Sequence, residues 1–570
     1  MNLSSEAKWF KFYGDTPHTL DYPDISMYDM IKNVASEYPT YVAYDFQGNS
    51  VTYEKFICEI DTCAKALKAM GIKEGDAVTI CLPNVPQAVV MLYAINKIGA
   101  VASMVHPLSA ENEIMFYLNE SKSRIAITLS QFYDKFRAIE GKTSVEKIIV
   151  AKIEEALPTV KGFLYKFVGN EPKVPNEHNV ISWKDFLNGA KSFAGEVDYK
   201  GKGEDPAAIL FSGGTTGTSK GILLTNLNFN ALAMQTGAAS GCLSAGDTML
   251  SIMPVFHGFG LGVGIHTMLA YGARCVLVPR LNVQEFPGFF KKYRPNYMAG
   301  VPTLFEAMMR NEEMKNADLS CLKGLFSGGD SLSIELKKKV DAFLKDRGAT
   351  IQVREGYGTT ECVTASCLTP AEYYREGSIG IPFPDTFYKI VIPSTNDEAP
   401  VGQMGEICIA GPTLMKEYIN NPKETNQTLR VHDDGKTYLH TGDLGYMDED
   451  GFIYFVQRLK RMIVTSGYNV YPSQIENVID SHEAVMFSTV IGVKDDLKMQ
   501  RVKAFIVLKP GFSPTDEVKA SIKAHCEKSI AKYALPKEYE FRDNLPKTLV
   551  GKVAYRELEK EEEEKSIKSV

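Results

Sequence analysis

A glycine- and hydroxyl-rich segment near the middle of the chain has the composition of a phosphate-binding loop. It runs from Phe211 to Gly221, FSGGTTGTSKG, and follows the apolar run AAIL. Its glycines let the backbone present N–H groups to a polyanion, and Thr215, Thr216 and Thr218 add hydroxyl donors. Lys220 adds a positive charge. A serine stands where the P-loop pattern GxxxxGK[ST] needs glycine. We therefore predict a triphosphate-binding loop of another type, with a flexible linker turn as the alternative.

Two further segments offer side chains suited to a nucleotide. In GYGTTE, Tyr357 could stack on a base, Thr360 offers a hydroxyl, and Glu361 offers a carboxylate of the kind that binds Mg²⁺. In YLHTGDLGY, Asp443 could accept hydrogen bonds from two ribose hydroxyls, and Arg458 follows at a short distance as an oxyanion clamp. The alternatives are an ordinary turn for the first segment and a capping aspartate for the second.

A lysine near the carboxyl terminus completes the set of candidate residues. Lys552 lies in LPKTLVGK, a loop that contains a glycine. Taken alone, it is one exposed lysine among many.

The elements that must position these residues alternate between helices and strands. Between about residues 50 and 130, helical stretches alternate with apolar runs such as AVTICL and RIAITL, which is typical of βα units around a parallel sheet. From about 380 to 456 the pattern shortens to strands and turns. Beyond Arg458, helical and strand patterns indicate a small α+β domain. We predict an α/β fold with a large N-terminal domain, a β-rich subdomain and a small C-terminal domain.

Two stretches could be mistaken for other structures. The apolar stretch Gly258–Val278 is interrupted by His266, Arg274 and several glycines, so we expect a buried strand and helix, not a membrane span. The terminal acidic run Glu561–Glu564 is expected to be the solvated, fraying end of a helix.

Composition excludes several classes of protein. A chain of 570 residues exceeds the ~250 to 300 residues of a single core. Its 44% hydrophobic and 23% charged residues are typical of a soluble globular protein. A net charge of −7 without a basic stripe argues against a nucleic-acid partner.

The same features indicate a cytoplasmic protein. The ten cysteines are scattered without a CxxC pair, which fits a reducing compartment. The amino terminus, MNLSSEAKWFKFYGD, has charged residues where a secretory signal needs an apolar core.

Together, the four motifs resemble those of the adenylate-forming (AMP-binding) superfamily of acyl-CoA synthetases, adenylation domains and firefly-type luciferases. The resemblance spans roughly residues 50 to 557, with the motifs in the family's order. It implies activation of a carboxylic acid by ATP as an acyl adenylate, followed by transfer of the acyl group to coenzyme A.

The resemblance also implies a role for each nucleotide-binding residue. The phosphate loop would bring to the β- and γ-phosphates of ATP the residues Thr215, Thr216, Thr218 and Lys220. Tyr357 would stack on adenine, Thr360 would contact the α-phosphate, and Glu361 would bind Mg²⁺. Gly328, Gly329 and Asp330 would border adenine. Asp443 would bind the ribose, with Arg458 beside it.

Residues of the C-terminal domain would complete the two half-reactions. Lys552 matches the family's catalytic lysine, whose charge would stabilise the transition state as pyrophosphate leaves. Lys460 falls at the family's hinge, which divides the large domain, 1–457, from a small mobile domain, 458–570. The segment that meets coenzyme A would include Ser466, Gly467 and Tyr468.

The resemblance also suggests the acid. The segment from Trp9 to Pro23 is similar to the amino-terminal extension of bacterial long-chain fatty acyl-CoA ligases. His257 lies where the family has an aromatic acyl gate, and we count it with Lys552 and Thr360 as a catalytic candidate. The wall of the acyl pocket would include His257, Gly258, Phe259, Val301 and Gly358. An apolar tail would gain about 0.8 kcal/mol per buried methylene, so we expect a medium- or long-chain fatty acid, although aromatic acids would also fit.

This sequence departs from the family pattern at four positions and leaves other functions open. The departures, which we expect to change contacts between domains, are Gln457, Arg461, Gln474 and Val550. One alternative is a free-standing adenylation enzyme that loads an acyl or aryl acid onto a carrier protein. The other is a non-catalytic nucleotide-binding protein. Peripheral contact with a membrane stays open, and the sequence does not indicate an oligomeric state.

Overall fold

The computed structural model describes residues 7–158, 161–162, 172–174, 176–197, 199–212, 219–465, 468–495, 499–548 and 553–568. Within these ranges the α-helices are α1 Met27–Glu37, α2 Tyr53–Ala69, α3 Pro86–Lys97, α4 Glu111–Ser121, α5 Tyr133–Ala138, α6 Trp183–Gly189, α7 Asn226–Ser240, α8 Met268–Ala270, α9 Phe286–Tyr293, α10 Pro302–Arg310, α11 Ile334–Lys345, α12 Pro422–Thr428, α13 Pro472–Asp480, α14 Asp516–Glu527 and α15 Tyr555–Lys568.

The strands of the same ranges are β1 Val42–Phe46, β2 Asn49–Thr52, β3 Ala77–Cys81, β4 Val101–Met104, β5 Ile125–Leu129, β6 Lys147–Ala151, β7 Val180–Ser182, β8 Pro206–Ser212, β9 Lys220–Thr225, β10 Thr248–Ser251, β11 Arg274–Leu277, β12 Tyr297–Gly300, β13 Gly324–Ser327, β14 Val353–Tyr357, β15 Cys367–Leu368, β16 Ile381–Pro382, β17 Phe387–Val391, β18 Gly405–Ala410, β19 Glu417–Tyr418, β20 Leu429–Val431, β21 Thr437–Met447, β22 Ile453–Arg458, β23 Ile463–Thr465, β24 Tyr468–Val470, β25 Val485–Asp495, β26 Met499–Leu508 and β27 Glu538–Phe541.

Two large sheets form the N-terminal part of the molecule. In the described residues, one has the order β16-β15-β14-β13-β12-β10-β11-β1-β2, and the other has the order β19-β9-β8-β4-β3-β5-β6-β7. Their central strands are parallel, for example β3 with β4 and β5, and β13 with β12 and β14. Completely buried residues in β3, β4 and β5 show that helices cover both faces, as parallel sheets require. The βα pattern predicted from the sequence is therefore confirmed.

Two smaller sheets follow in the chain. Strands β17, β18, β21, β20 and β22 form an antiparallel sheet, which is the predicted β-rich subdomain. Beyond Arg458, strands β24, β23, β26, β25 and β27 form a sheet with its own core of residues such as Ile475 and Ile506. The predicted fold class, a large N-terminal domain and a smaller C-terminal one, is confirmed. The boundary at 457/458 and the mobility of the smaller domain stay predictions.

The apolar stretch Gly258–Val278 is a buried helix and strand, as expected, but part of the helix is a π-helix, Phe259–Thr267. Glycine is needed there because a Cβ on Gly260 would lie 2.1 Å from the carbonyl oxygen of Pro254. His266, within it, bonds to Tyr93 and Asn230, at 3.0 Å each, and burial lowers its pKa to about 3. Across the described residues, no helix combines the length and hydropathy needed to cross a bilayer.

The expectation of a solvated acidic end is wrong for one residue. Glu562 on α15 is only 6% exposed and accepts a hydrogen bond from Lys503 Nζ at 2.8 Å. Lys503 lies on β26 and is itself buried, with Glu538 and Glu540 as further partners. A buried ammonium needs counter-ions, so Glu562 packs against the sheet, while Glu561 pairs with Arg542 and Glu563 and Glu564 are exposed.

Asn84 joins the two large sheets near the candidate site. It follows β3, and its Nδ2 donates to the carbonyl oxygens of Ser251 at 2.9 Å and Met253 at 2.8 Å. Its Oδ1 accepts from the backbone N–H of Val255 at 2.8 Å. All three bonds hold the segment that leads from β10 to His257.

We expect Asn84→Ala to destabilise the protein strongly, because it removes three buried hydrogen bonds and, of the three backbone groups, only the Ser251 carbonyl keeps another partner, the N–H of Val278. The loss should be about 3 kcal/mol or more in the free energy of unfolding, measured as a shift of the urea unfolding midpoint. Asn119→Ala is the matched control, because exposed Asn119 donates a single bond, to Lys142. Equal midpoints for the two variants would contradict this role of Asn84.

Candidate active site

Lys220, the cation of the predicted phosphate loop, begins strand β9 and is held by two neighbours. Its ammonium forms an ion pair with Glu424 and lies 4.7 Å from the centre of the Tyr418 ring. Both neighbours belong to one segment, in which β19 pairs with β9 and Asn421 caps α12 by accepting from the backbone of Glu424. Thr215, Thr216 and Thr218 of the loop lie outside the described residues.

Tyr418 connects this lysine to the predicted magnesium ligand. Its hydroxyl donates to Glu361 Oε1 at 2.7 Å, and its side chain is only 4% exposed. The backbone carbonyl of Glu361 also accepts from Met415 N–H at 2.7 Å. Thr360 lies beside Glu361 in the same 3₁₀ turn, Thr360–Cys362. One buried tyrosine therefore contacts the phosphate-loop cation and the GYGTTE carboxylate.

The predicted adenine and ribose residues also lie together. Tyr357 donates its hydroxyl hydrogen to Asp443 Oδ2 at 2.7 Å, and Arg458 Nε lies 3.3 Å from Asp443 Oδ1. Asp443 and Arg458 are direct cross-strand partners on β21 and β22. Burial, and secondly the neighbouring Asp443 carboxylate, raise the pKa of Tyr357, so its hydroxyl stays a hydrogen-bond donor.

The turn that carries Asp443 is fixed by a residue that sequence reasoning missed. Glu406 on β18 accepts from His440 Nδ1 at 3.0 Å and from Gly442 N–H at 2.9 Å. Burial alone would raise the pKa of Glu406, but these bonds outweigh it and lower the pKa. Its signal in the sequence is weak, because a glutamate in the strand run GEICIA reads as an exposed strand residue.

The same place brings together potential metal ligands. Ligand atoms of Glu406, Cys408 and His440 lie within 4.8 Å of one another. However, Glu406 already accepts two hydrogen bonds, and burial raises the pKa of the Cys408 thiol well above its usual value. The two hydrogen bonds of Glu406 and the raised pKa of Cys408 favour a structural role for this cluster, in shaping the turn that carries Asp443.

A narrow cavity lies between the predicted adenine border and the π-helix. Its volume is about 420 Å³, part of which is open to solvent. Gly328 and Gly329 line it at the end of β13, and a Cβ on Gly328 would lie 3.4 Å from the Phe259 ring. Asp330, next along the chain, is exposed and accepts from Ser331 N–H.

Of the predicted acyl-pocket residues, Phe259 lines this cavity directly. His257 lies at the start of the π-helix, where its Nδ1 accepts from Phe259 N–H at 3.2 Å. Gly258 and Gly358 are both packed against backbone. A Cβ on Gly258 would lie 3.1 Å from the carbonyl oxygen of Val363, and a Cβ on Gly358 would lie 2.4 Å from the carbonyl oxygen of Thr364. The remaining predicted residue is buried Val301, at the N-cap of α10.

The predicted residues of the C-terminal domain are described in part. Ser466, Gly467 and Lys552 lie outside the described residues, and only the backbone of Lys460 and Tyr468 is described. The backbone of Lys460 lies in a 3₁₀ turn, Leu459–Arg461, directly after β22. Lys547 and Val553, on either side of residues 549–552, form an antiparallel bridge.

Of the four departures from the family pattern, Arg461 has clear partners. Its guanidinium forms an ion pair with Glu476 on α13 and donates to the hydroxyl of Thr489 on β25.

Comparison with known proteins identifies the family of this chain. The family model "AMP-binding enzyme" matches residues 31–419, and "AMP-binding enzyme C-terminal domain" matches residues 474–552. A long-chain-fatty-acid–CoA ligase of Bacillus subtilis (strain 168) is 33% identical and covers 99% of both chains. One from Salmonella typhimurium is also 33% identical, covering 97% of this chain and 98% of its own. The chain therefore belongs to the AMP-binding enzyme family.

Solved structures share the fold. ATP-bound MatB from Rhodopseudomonas palustris superposes with a TM-score of 0.82 at 22% identity, covering 94% of this chain and 99% of its own. The anthranilate CoA ligase AuaEII, in complex with anthranoyl-AMP, gives 0.81 at 24% identity and covers 96% and 98%. At this level of identity the likeness concerns the fold alone.

We expect Glu424→Gln to lower the KM for ATP by roughly two- to fivefold. A triphosphate that binds Lys220 must compete with Glu424 for the ammonium, and a partly exposed ion pair is worth up to about 1 kcal/mol. The measurement is ATP-dependent pyrophosphate release at saturating acid.

Glu417→Gln is the matched control, because it removes the same charge from an exposed position on β19. A higher KM in Glu424→Gln than in this control would mean that Glu424 directs Lys220 towards the phosphates and does not compete with them.

Proposed function

We propose that this chain converts a medium- or long-chain fatty acid to its coenzyme A thioester through an acyl adenylate, releasing AMP and pyrophosphate. Family membership and near full-length identity to CoA ligases support ATP-dependent acid–CoA ligation. The choice of a fatty acid rests on those relatives, which are named for long-chain fatty acids, and on the apolar lining of the cavity.

The observation that carries the proposal is that a single tyrosine contacts both Lys220 and Glu361. ATP would place its β- and γ-phosphates against Lys220 and the loop residues Thr215, Thr216 and Thr218. Glu361 fits Mg²⁺, because a partly buried carboxylate is the oxygen ligand that this hard cation prefers. When bound, Mg²⁺ would neutralise phosphate charge.

Nucleoside recognition would use the second group of contacts. Tyr357 would present its ring to adenine, bordered by Gly328, Gly329 and Asp330. Asp443 would accept from the ribose hydroxyls, with Arg458 beside it to hold the carboxylate in place. Thr360, next to Glu361, would contact the α-phosphate where the substrate carboxylate attacks.

The second half-reaction would use the small domain, 458–570. Rotation about Lys460 would withdraw Lys552 and bring Ser466, Gly467 and Tyr468 towards the thiol of coenzyme A. His257, beside the cavity, would act as the acyl gate. We place the reaction in the cytoplasm, with peripheral membrane contact as one route to the acid.

The test is incubation of purified protein with ATP, Mg²⁺ and a panel of fatty and aromatic acids, with and without coenzyme A. Release of pyrophosphate and AMP that depends on a fatty acid, with a thioester only when coenzyme A is present, supports the proposal. Pyrophosphate without a thioester would indicate an enzyme that loads a carrier protein. No turnover with any acid would favour a non-catalytic nucleotide-binding protein.

We expect Lys552→Ala to abolish pyrophosphate release while thioester still forms from presynthesised acyl adenylate. The reason is that the lysine's charge stabilises negative charge developing on the phosphates in the first half-reaction only. Removal of one such group typically costs about 100- to 1000-fold in kcat. Lys547→Ala, also close to the carboxyl terminus, is the control, and equal loss in both half-reactions would contradict this division.

A further inference from the structure

The segment 381–386 contributes Phe383 to the lining of the narrow cavity. This phenylalanine is 2% exposed, and its backbone N–H donates to the carbonyl oxygen of Ser366 at 3.0 Å. Strand β16, directly before it, pairs with β15, whose residues Cys367 and Leu368 also line the cavity. The segment is therefore bonded to its neighbours in the cavity lining.

The same segment also contacts the N-terminal part of the chain, from Trp9 to Pro23. The Tyr13 hydroxyl donates to the carbonyl oxygen of Pro382 at 2.8 Å. Trp9 and Tyr13 also pack with Ile381 in one buried hydrophobic cluster. The residues that resemble the N-terminal extension of long-chain fatty acyl-CoA ligases therefore lie directly against the segment that carries Phe383.

Asp385 is the central contact between these two parts of the chain. Its Oδ2 accepts from the backbone N–H of Leu20 and from the hydroxyl of Tyr22, at 2.8 Å each. Its φ of +56° is in the left-handed region, which is uncommon for a residue with a side chain, so these bonds hold a turn that the backbone alone does not favour. Burial, and secondly the bond to Asp385, raise the pKa of Tyr22, so its hydroxyl stays a donor.

Helix α7 joins this contact through Gln235, which is completely buried. Its Nε2 donates to the carbonyl oxygen of Pro384 at 2.6 Å and lies 3.2 Å from the hydroxyl oxygens of Tyr22 and Thr386. The next residue of the helix, Thr236, lines the cavity. The N-terminal segment, α7 and the segment 381–386 therefore meet beside the cavity.

These bonds limit how far the cavity lining can move. The cavity has a volume of about 420 Å³, part of which is open to solvent. Protein interiors are close-packed, so a chain too long for the space can enter only if the lining shifts. A shift of Phe383 away from the cavity would disturb the hydrogen bonds that Tyr13, Tyr22 and Gln235 make with the segment 381–386.

We propose that the N-terminal segment sets the acyl-chain preference by holding the part of the cavity lining that contains Phe383. Tyr22 and Asp385 are then positioning residues, which act on the acyl chain through Phe383. This inference rests on the proposed function and narrows its substrate class to fatty acids whose length fits the cavity with the lining held in place.

The experiment measures kcat/KM of thioester formation for a homologous series of unbranched saturated acids. Tyr22→Phe keeps the ring but removes the hydroxyl that bonds to Asp385. The ratio of kcat/KM between the preferred acid and longer acids should fall at least about fivefold, because the lining can then yield to a longer chain. The KM for ATP should not change, since the nucleotide does not contact this segment.

Two further variants test the contact and its location. Asp385→Asn removes the charge but keeps a residue type that tolerates the left-handed conformation, and it should shift the ratio in the same direction. The double variant should add little to the larger single effect, because both changes break one contact. Tyr133→Phe is the matched control, since the Tyr133 hydroxyl also donates to a carboxylate, Glu177 at 2.6 Å, but Tyr133 does not line the cavity.

The outcomes distinguish this inference from the function on which it rests. If Tyr22→Phe keeps the original ratio, or changes the KM for ATP and the rates with all acids alike, the segment only stabilises the fold and the inference is wrong, although the chain is a CoA ligase. If no acid gives pyrophosphate or thioester, the proposed function fails. The inference fails with it unless calorimetry still shows a chain-length preference that weakens in Tyr22→Phe.

Discussion

Contact of Tyr418 with both Lys220 and Glu361 is the constraint on which the candidate site depends. The ring lies 4.7 Å from the Lys220 ammonium and the hydroxyl donates to the Glu361 carboxylate at 2.7 Å, so one buried side chain helps to position both groups. Lys220 is also paired with Glu424, so a triphosphate that binds its ammonium must compete with that carboxylate.

The second half of the candidate site, around Asp443, is built from other strands. Asp443 is buried, and its charge is compensated by Arg458 across the strand pair and by the hydroxyl of Tyr357. Glu406 and His440 in turn hold the turn on which Asp443 lies. The position and charge of Asp443, the proposed ribose ligand, are therefore set by β18, β21 and β22 together, three strands that lie close to one another along the chain.

How much the sequence could predict depends on how far apart along the chain the interacting residues lie. The βα alternation, the β-rich subdomain and the pairing of Asp443 with Arg458 arise from local patterns and a short hairpin, and they were predictable. Tyr418 and Glu424 were not, because they reach Lys220 from about 200 residues away along the chain. The burial of Glu562 was also missed, because its partner Lys503 lies on a central strand whose neighbours only the folded structure reveals.

The cavity shows why motifs alone leave the substrate undefined. Phe259 was identified by its motif, but Thr236 lies within a helix that reads as ordinary core, and Ser327 precedes the two glycines that drew attention. Only the folded structure shows that Thr236 and Ser327 line the same cavity. Specificity in such a site arises from single side chains that carry no periodic signal.

The most direct test of the account is a crystal structure with a non-hydrolysable acyl sulfamoyl adenosine. The account predicts that the ribose hydroxyls lie about 2.7 to 3.2 Å from the Asp443 carboxylate, that adenine lies against Tyr357, and that the acyl chain enters the cavity beside Phe259. A nucleotide bound elsewhere, with the contacts of Asp443 and Tyr357 unchanged, would contradict it.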